Sequence, residues 1–258
     1  MARTKHLYLA KLAEQAGRYD EMATHMENVG KASEELSAEE RNMLSVAYKN
    51  AVESRRAAWR IIASAEQKEK TNGNEEQGKH AKEYCAKIEQ ELQGTCATIL
   101  ALLDNQLIPK ATNGEPKVFY QKMKADYYCY IAESMDEDTR TKAAESARLA
   151  YEAATGVAEK NLLAAHPIRL RLALNYSVFQ YEVLRQPDEA CKMARTTLEA
   201  AIAKLDDVAE DSYEESTLIV QLLREKLALW SRDIRDQQIF EINRHIIEQG
   251  RPQCSLGK

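Results

Sequence analysis

Residues 44–60 read LSVAYKNAVESRRAAWR, a segment without Gly or Pro in which charged side chains recur every three or four positions. Four of them stand at i, i+4, i+7 and i+11: Lys49, Glu53, Arg56 and Arg60. An α-helix places side chains at these spacings on one face. That face is either a solvated surface, with charge pairs worth about 0.2–0.5 kcal/mol each, or one wall of a site for an anionic ligand.

The composition favours helix along the whole chain. Its 258 residues include only 9 Gly and 5 Pro, while Ala, Leu, Glu, Lys and Gln, all good helix formers, dominate. No strand pattern is present, and no 34-residue repeat with a tetratricopeptide signature occurs. We therefore predict an all-α fold of nine antiparallel helices, with a tenth at the C-terminus, arranged as a bundle or a solenoid.

Breaking and capping residues set the expected helix boundaries. Gly17 ends the first helix, and Ser37 with Glu40 forms a capping box at the start of the third, which extends to about Lys70. The second helix is expected at about 19–29 and the fourth at about 76–108, and residues 136–139 separate the fifth from the sixth. Helices seven, eight and nine are expected to start at Pro167, at Pro187 and at the acidic loop 206–216, and the tenth covers 236–250. Residues 1–235 are expected to form a single helical domain, and 236–258 an extension with an extra helix and a flexible tail.

Charge and motif content exclude several classes of protein. The formal net charge of −5 gives no basic excess for nucleic acid, and no apolar run approaches the ~18 residues of a membrane span. Five scattered Cys without CxxC spacing and the absence of a signal peptide indicate the reducing cytoplasm, with the nucleus as a second compartment. Enzyme motifs are missing and no His pair stands at i, i+4, so we expect no catalysis, cofactor or metal.

Three further helical stripes mix polar and apolar side chains along one line. The first contains Lys122, Asp126, Cys129, Tyr130 and Glu133; the second Arg171, Leu174, Asn175, Val178 and Glu182; the third Leu222, Lys226, Leu229 and Trp230. A buried Asn or Glu needs a polar partner, so core packing alone does not explain these stripes. A cationic wall facing an apolar wall is typical of a groove for an extended anionic peptide.

Five blocks of the sequence together resemble the 14-3-3 family, over about residues 5–232: LAKLAEQAGRYDEM, LSVAYKNAVESRRAAWR, VFYQKMKADYYCYIAE, HPIRLRLALNYSVFQYE and STLIVQLLREKLALW. The resemblance implies a nine-helix fold that forms cup-shaped dimers. It also implies one groove per subunit that binds phosphoserine or phosphothreonine segments of client proteins, without enzymatic activity.

Carried over by position, the resemblance assigns roles to individual residues. The phosphate would be held by Lys49, Arg56 and Tyr130, with Arg60 nearby. The peptide would be held by Lys122, Leu174, Asn175, Val178, Glu182, Leu218, Ile219, Leu222, Lys226, Leu229 and Trp230. The dimer contact would pair Arg18 with Glu91 and Glu21 with Lys87, and would include Tyr84, Leu12, Ala16 and Ala58.

Four substitutions in the expected groove depart from the family pattern. Cys129 replaces a phosphate-binding Arg, Lys226 an Asn, and Glu53 and Arg171 two Gly; outside the groove, Ala58 replaces a Ser of the dimer contact. We therefore expect a phosphopeptide adaptor with reduced affinity or altered specificity, the alternative being a dimeric scaffold that binds clients without requiring phosphate. A Glu53–Arg171 pair across the groove would compensate. Cys129 is either an unreactive thiol or a redox sensor.

The last residues, RPQCSLGK, place Arg251 four positions before Ser255. This spacing matches one type of family ligand, so a phosphorylated Ser255 would make the tail a ligand for a groove; the alternative is a disordered end. The expected partners are phosphorylated client proteins, a second copy or another family member, and this tail.

Overall fold

A computed structural model describes residues 2–32, 34–112, 114–134 and 137–249, and only the backbone of residues 134 and 240–249. This described part is helical and contains no strand, which confirms the predicted all-α class. Its nine main helices are α1 Ala2–Gln15, α2 Tyr19–Lys31, α3 Ala38–Thr71, α4 Glu75–Leu102, α5 Gly114–Ser134, α6 Glu137–Asn161, α7 Pro167–Glu182, α8 Pro187–Ile202 and α9 Glu210–Gln249.

Capping and proline residues explain where three of the helices begin. The Ser37 hydroxyl accepts a hydrogen bond from the Glu40 amide at 3.2 Å, and the Ser37 amide donates to the Glu40 carboxylate at 2.8 Å, so the predicted capping box is confirmed. Such a cap is worth about 1 kcal/mol. Pro167 and Pro187 each occupy the first position of a helix, where a missing N–H costs nothing.

Two predicted helix boundaries are wrong. The fourth helix was expected to reach residue 108, but it ends at Leu102 and continues as a π-helical turn, Leu103–Leu107, before a short turn Ile108–Lys110. Pro109 explains the change, because it lacks an N–H and its ring crowds the preceding turn. The separate tenth helix is also wrong: α9 is continuous over Glu210–Gln249, since no Gly or Pro interrupts it.

The chain divides into two compact units, Met1–Leu162 and Leu163–Lys258. The first contains α1–α6, and its core includes the fully buried Leu44, Tyr48 and Leu92. The second contains α7–α9, around a cluster in which Trp230 is 1% exposed and stacks on Tyr181 at 4.9 Å between ring centroids. The candidate side chains are therefore described unit by unit.

None of the helices in the described ranges is both long and apolar enough to cross a membrane. Ser255 and the rest of the expected tail lie outside the described residues.

Candidate functional site

In the first unit, the charged stripes of α3 and α5 meet at Arg56. The Arg56 Nε atom lies 3.1 Å from Glu133 Oε2 on α5, and its Nη2 donates to the same oxygen. Its Nη1 lies 2.5 Å from Oε2 of Glu53, one turn earlier on α3. The guanidinium carbon stands 4.3 Å from the centre of the Tyr130 ring, a cation–π distance. The two stripes predicted from helical spacing therefore lie side by side.

Arg60 completes a group of four that we name the charge quartet: Glu53, Arg56, Arg60 and Glu133. Its guanidinium lies 3.5 Å from Glu53 and 3.6 Å from Glu133, so two cations face two anions and the quartet is formally neutral. Lys49 is exposed and has no ion pair with any other described residue. The local charge at this end of α3 is therefore about +1.

The electrostatics of Arg56 and Tyr130 follow from partial burial. Burial disfavours the charged form of Arg56, whose side chain is only 13% exposed, but the Glu133 and Glu53 carboxylates outweigh burial and raise its pKa. Burial, followed by the nearby Asp126 carboxylate, raises the pKa of the Tyr130 phenol far above its usual value. At neutral pH the site thus presents a permanent cation beside a neutral hydroxyl that can donate a hydrogen bond.

Lys122 belongs to a second network, centred on Asp126. Its ammonium lies 2.6 Å from Asp126 Oδ2, and the buried Tyr151 hydroxyl on α6 donates to Asp126 Oδ1 at 2.7 Å. Tyr151 is 2% exposed, so this hydrogen bond holds the Asp126 carboxylate from the buried side. Sequence reasoning placed Asp126 on the α5 stripe but gave no signal for Tyr151, because the contact joins residues of two different helices.

Cys129 lies at the edge of the charge quartet. Its Sγ atom is 4.0 Å from Glu133 Oε1, and its side chain is half-buried, whereas the other free thiols in the described ranges, Cys85, Cys96 and Cys191, are buried. Burial raises the pKa of Cys96 to about 12. Cys129 is therefore the described thiol most open to solvent, and it contributes no cation to the site.

In the second unit, the predicted apolar residues divide into two groups. Leu218, Leu222 and Leu229 are 56%, 40% and 42% exposed and form a stripe on α9. Ile219 and Trp230, in contrast, are 2% and 1% exposed and belong to the core cluster, against which Leu174 and Val178 pack with partial burial. The exposed stripe is the part of this set that a ligand can reach without rearrangement of the core.

The charged candidates of the second unit are already paired. Lys226 lies 3.7 Å from Glu182, and Arg171 lies 2.5 Å from Glu215, while Asn175 beside them is half-buried. Within the first unit Glu53 is bound to Arg56, and within the second Arg171 is bound to Glu215; the expected Glu53–Arg171 pair stays a prediction. Glu215 stands seven positions before Leu222, the first residue of the third predicted stripe, and was not among the residues predicted from the sequence.

Four of the eight residues expected at the dimer contact line one depression on the first unit: Ala58, Tyr84, Lys87 and Glu91. A surface depression of about 270 Å³ is lined by Asp20, Ser54, Arg55, Ala58, Tyr84, Lys87, Ile88 and Glu91. Leu12 and Tyr84 are 42% and 53% exposed, and Ala16 is exposed. Within the chain, Arg18 donates to Glu21. The expected pairing of Arg18 with Glu91 and of Glu21 with Lys87 would require a second copy and stays a prediction.

Comparison with known proteins agrees with this arrangement. Residues 9–231 match the family model described as 14-3-3 protein. The chain is 56% identical over 244 residues to 14-3-3 protein 2 of Solanum lycopersicum, covering 94% of this chain and 96% of the relative. It is 54% identical over 245 residues to 14-3-3-like protein B of Nicotiana tabacum (94% and 96% covered) and 51% identical over 257 residues to 14-3-3-like protein GF14 nu of Arabidopsis thaliana (97% of each).

Proposed function

Because the chain belongs to the 14-3-3 family, a family of non-enzymatic adaptors, we propose that it binds phosphoserine- or phosphothreonine-containing segments of client proteins as a dimer. The observation that carries this proposal is the Arg56 guanidinium on α3, which lies 4.3 Å from the centre of the Tyr130 ring on α5, with Lys49 seven positions before Arg56 on α3. Arg offers a planar fork for two phosphate oxygens, Lys a point charge, and Tyr a hydroxyl donor. A phosphate with about −1.5 to −2 charges is thereby distinguished from a bare hydroxyl.

The same geometry implies that phosphate has to compete for Arg56. Glu53 already occupies one edge of the guanidinium and Glu133 the other, and Cys129 supplies no further cation. A phosphate that binds Arg56 must displace Glu53, whose side chain is 46% exposed and free to turn toward solvent. We therefore propose a weaker phosphate site than one with an Arg at position 129 and no carboxylate at position 53.

The peptide flanking the phosphate would be held by the remaining groove candidates. We assign the backbone contacts to Asn175, Glu182 and Lys226, the apolar wall to Leu218, Leu222 and Leu229, and we keep Lys122, Leu174, Val178, Ile219 and Trp230 as supporting residues. An Asn side chain both donates to and accepts from an extended backbone. No cofactor is needed for such binding.

A second function remains open, and a specific observation favours it. Two carboxylates of the same chain, Glu53 and Glu133, neutralise Arg56. The Arg56 guanidinium therefore has ion-pair partners even without a phosphate. A dimeric scaffold that binds unphosphorylated clients would use the exposed α9 stripe instead of the charge quartet.

Binding of matched phosphorylated and unphosphorylated peptides tests the two functions. We expect the parent protein to prefer the phosphorylated peptide, and Cys129→Arg to strengthen that binding about ten- to a hundredfold, since a bond to a charged group contributes about 1.5–3 kcal/mol. Cys129→Ser is the control, because it removes the thiol without adding a cation. Equal binding of both peptides by the parent would favour the scaffold.

We propose in addition that Ser255, once phosphorylated, makes the tail an internal competitor. Truncation after residue 250 should then strengthen client binding only in protein that carries the phosphate. Identical client affinity of the phosphorylated full chain and the truncated chain would rule this out.

A further inference from the structure

Two imidazoles from different helices meet in the first unit, away from the charge quartet. His6 on α1 and His25 on α2 approach with their Nδ1 atoms 3.2 Å apart. The ring centroids are 5.4 Å apart and the ring planes are inclined by 47°. Both side chains are half-buried, so the two nitrogens are close to solvent while their helices hold them in place.

We propose that His6 and His25 together bind a divalent late transition-metal ion, such as Ni²⁺, Cu²⁺ or Zn²⁺. A metal about 2.0–2.1 Å from each of two nitrogens that are 3.2 Å apart subtends an angle of about 100°, close to the tetrahedral and octahedral values. The observed separation thus matches that of two neighbouring ligands on one ion. Both rings have to turn until their lone pairs point at the ion.

The ligand type decides the class of ion. Neutral imidazole is a good ligand for Zn²⁺, Cu²⁺ and Ni²⁺, whereas Mg²⁺ and Ca²⁺ prefer oxygen. The described residues contain no group of three or more His, Cys, Asp or Glu side chains that could enclose an ion. The two imidazoles therefore act as a bidentate site, and water completes the coordination.

The scaffold favours chelation because α1 and α2 pack along each other in one compact unit. Once one imidazole binds the ion, the second is already within reach, so the effective concentration of the second ligand is high. The ion would bridge two helices that also carry Leu12, Arg18 and Glu21 of the expected dimer contact. Metal binding would thus stiffen the α1–α2 hairpin without involving the phosphate site.

Calorimetric titration of the full chain with Ni²⁺ tests the proposal. We expect one strong equivalent per chain, and a loss of affinity of at least tenfold in both His6→Asn and His25→Asn, because each leaves a single ligand. His80→Asn is the matched control, since His80 is a solitary imidazole whose side chain is 68% exposed; it should leave the strong equivalent unchanged. An unchanged affinity in either single variant of the pair would overturn the proposal.

A second measurement avoids substitutions altogether and serves if a variant fails to fold. Paramagnetic Ni²⁺ added to the unaltered protein below one equivalent should broaden the imidazole proton resonances of His6 and His25 together, before those of His80 and His166. Equal broadening of all four would show scattered monodentate binding and would refute the bidentate site.

Discussion

Replacing Glu53 by Gln should strengthen phosphopeptide binding, because Glu53 competes with the phosphate for Arg56. In the parent protein, the carboxylate lies 2.5 Å from Nη1 of Arg56 and is 46% exposed. A half-exposed ion pair of this kind contributes about 0.5–1 kcal/mol, which phosphate binding gives up. A displaced carboxylate that stayed about 5 Å from a phosphate of about −1.5 to −2 charges would add roughly 1–1.5 kcal/mol of repulsion even in water.

The sum of about 2 kcal/mol corresponds to a roughly thirtyfold gain in affinity for Glu53→Gln. Fluorescence anisotropy with a labelled phosphopeptide measures it, and the unphosphorylated peptide should show little change. Glu66→Gln is the matched control, because Glu66 is also ion-paired on α3, with Lys70, but stands about 20 Å further along the helix. If Glu53→Gln and Glu66→Gln both leave phosphopeptide affinity within twofold of the parent, the competition argument fails.

Three other predictions follow from single contacts. Tyr151→Phe removes the hydrogen bond to Asp126 and should lower the free energy of unfolding, measured by urea denaturation, by about 1.5–3 kcal/mol. A change below about 0.5 kcal/mol would show that this hydrogen bond is dispensable. In native protein at pH 8, iodoacetamide should label Cys129 well before Cys96, because burial raises the pKa of Cys96 to about 12. Peptide mass spectrometry reports the order of labelling, and labelling of Cys96 before Cys129 would contradict this prediction. Leu12→Glu should weaken dimerisation at least about thirtyfold in sedimentation experiments, because a symmetric contact would bury two uncompensated charges that each cost at least about 1 kcal/mol; an unaltered dimer would exclude Leu12 from the contact.

Only part of the expected site could be predicted from the sequence. Helical spacing placed Glu53 and Arg56 on one face, and Tyr130 with Glu133 on another, as the structure confirms. It could not indicate which carboxylate neutralises Arg56, because helical period gives the direction of a side chain and not the distance to another helix. The contact of Glu53 with Arg56, three positions later on the same helix, fits the helical spacing, while the expected Glu53–Arg171 pair stays a prediction.

The burial of side chains on α9 shows a similar limit of prediction from the sequence. Leu218 and Ile219 are adjacent in sequence and equally apolar, yet one is 56% and the other 2% exposed. Their exposures differ because consecutive residues of a helix point about 100° apart and the core cluster of the second unit covers only one of these directions. The family resemblance gave both the same role in an apolar wall.

The sequence by itself determined the all-α class, the capping box at Ser37, the helix starts at Pro167 and Pro187, and the family, because these depend on local propensity and on residue identity in order along the chain. Only the tertiary structure decided the partners of the charges and the meeting of His6 with His25, which stand 19 positions apart. Those features depend on how separate helices pack against one another. The packing of α1 against α2 brings the Nδ1 atoms of these two imidazoles within 3.2 Å of each other, a pair that no i, i+4 search can find.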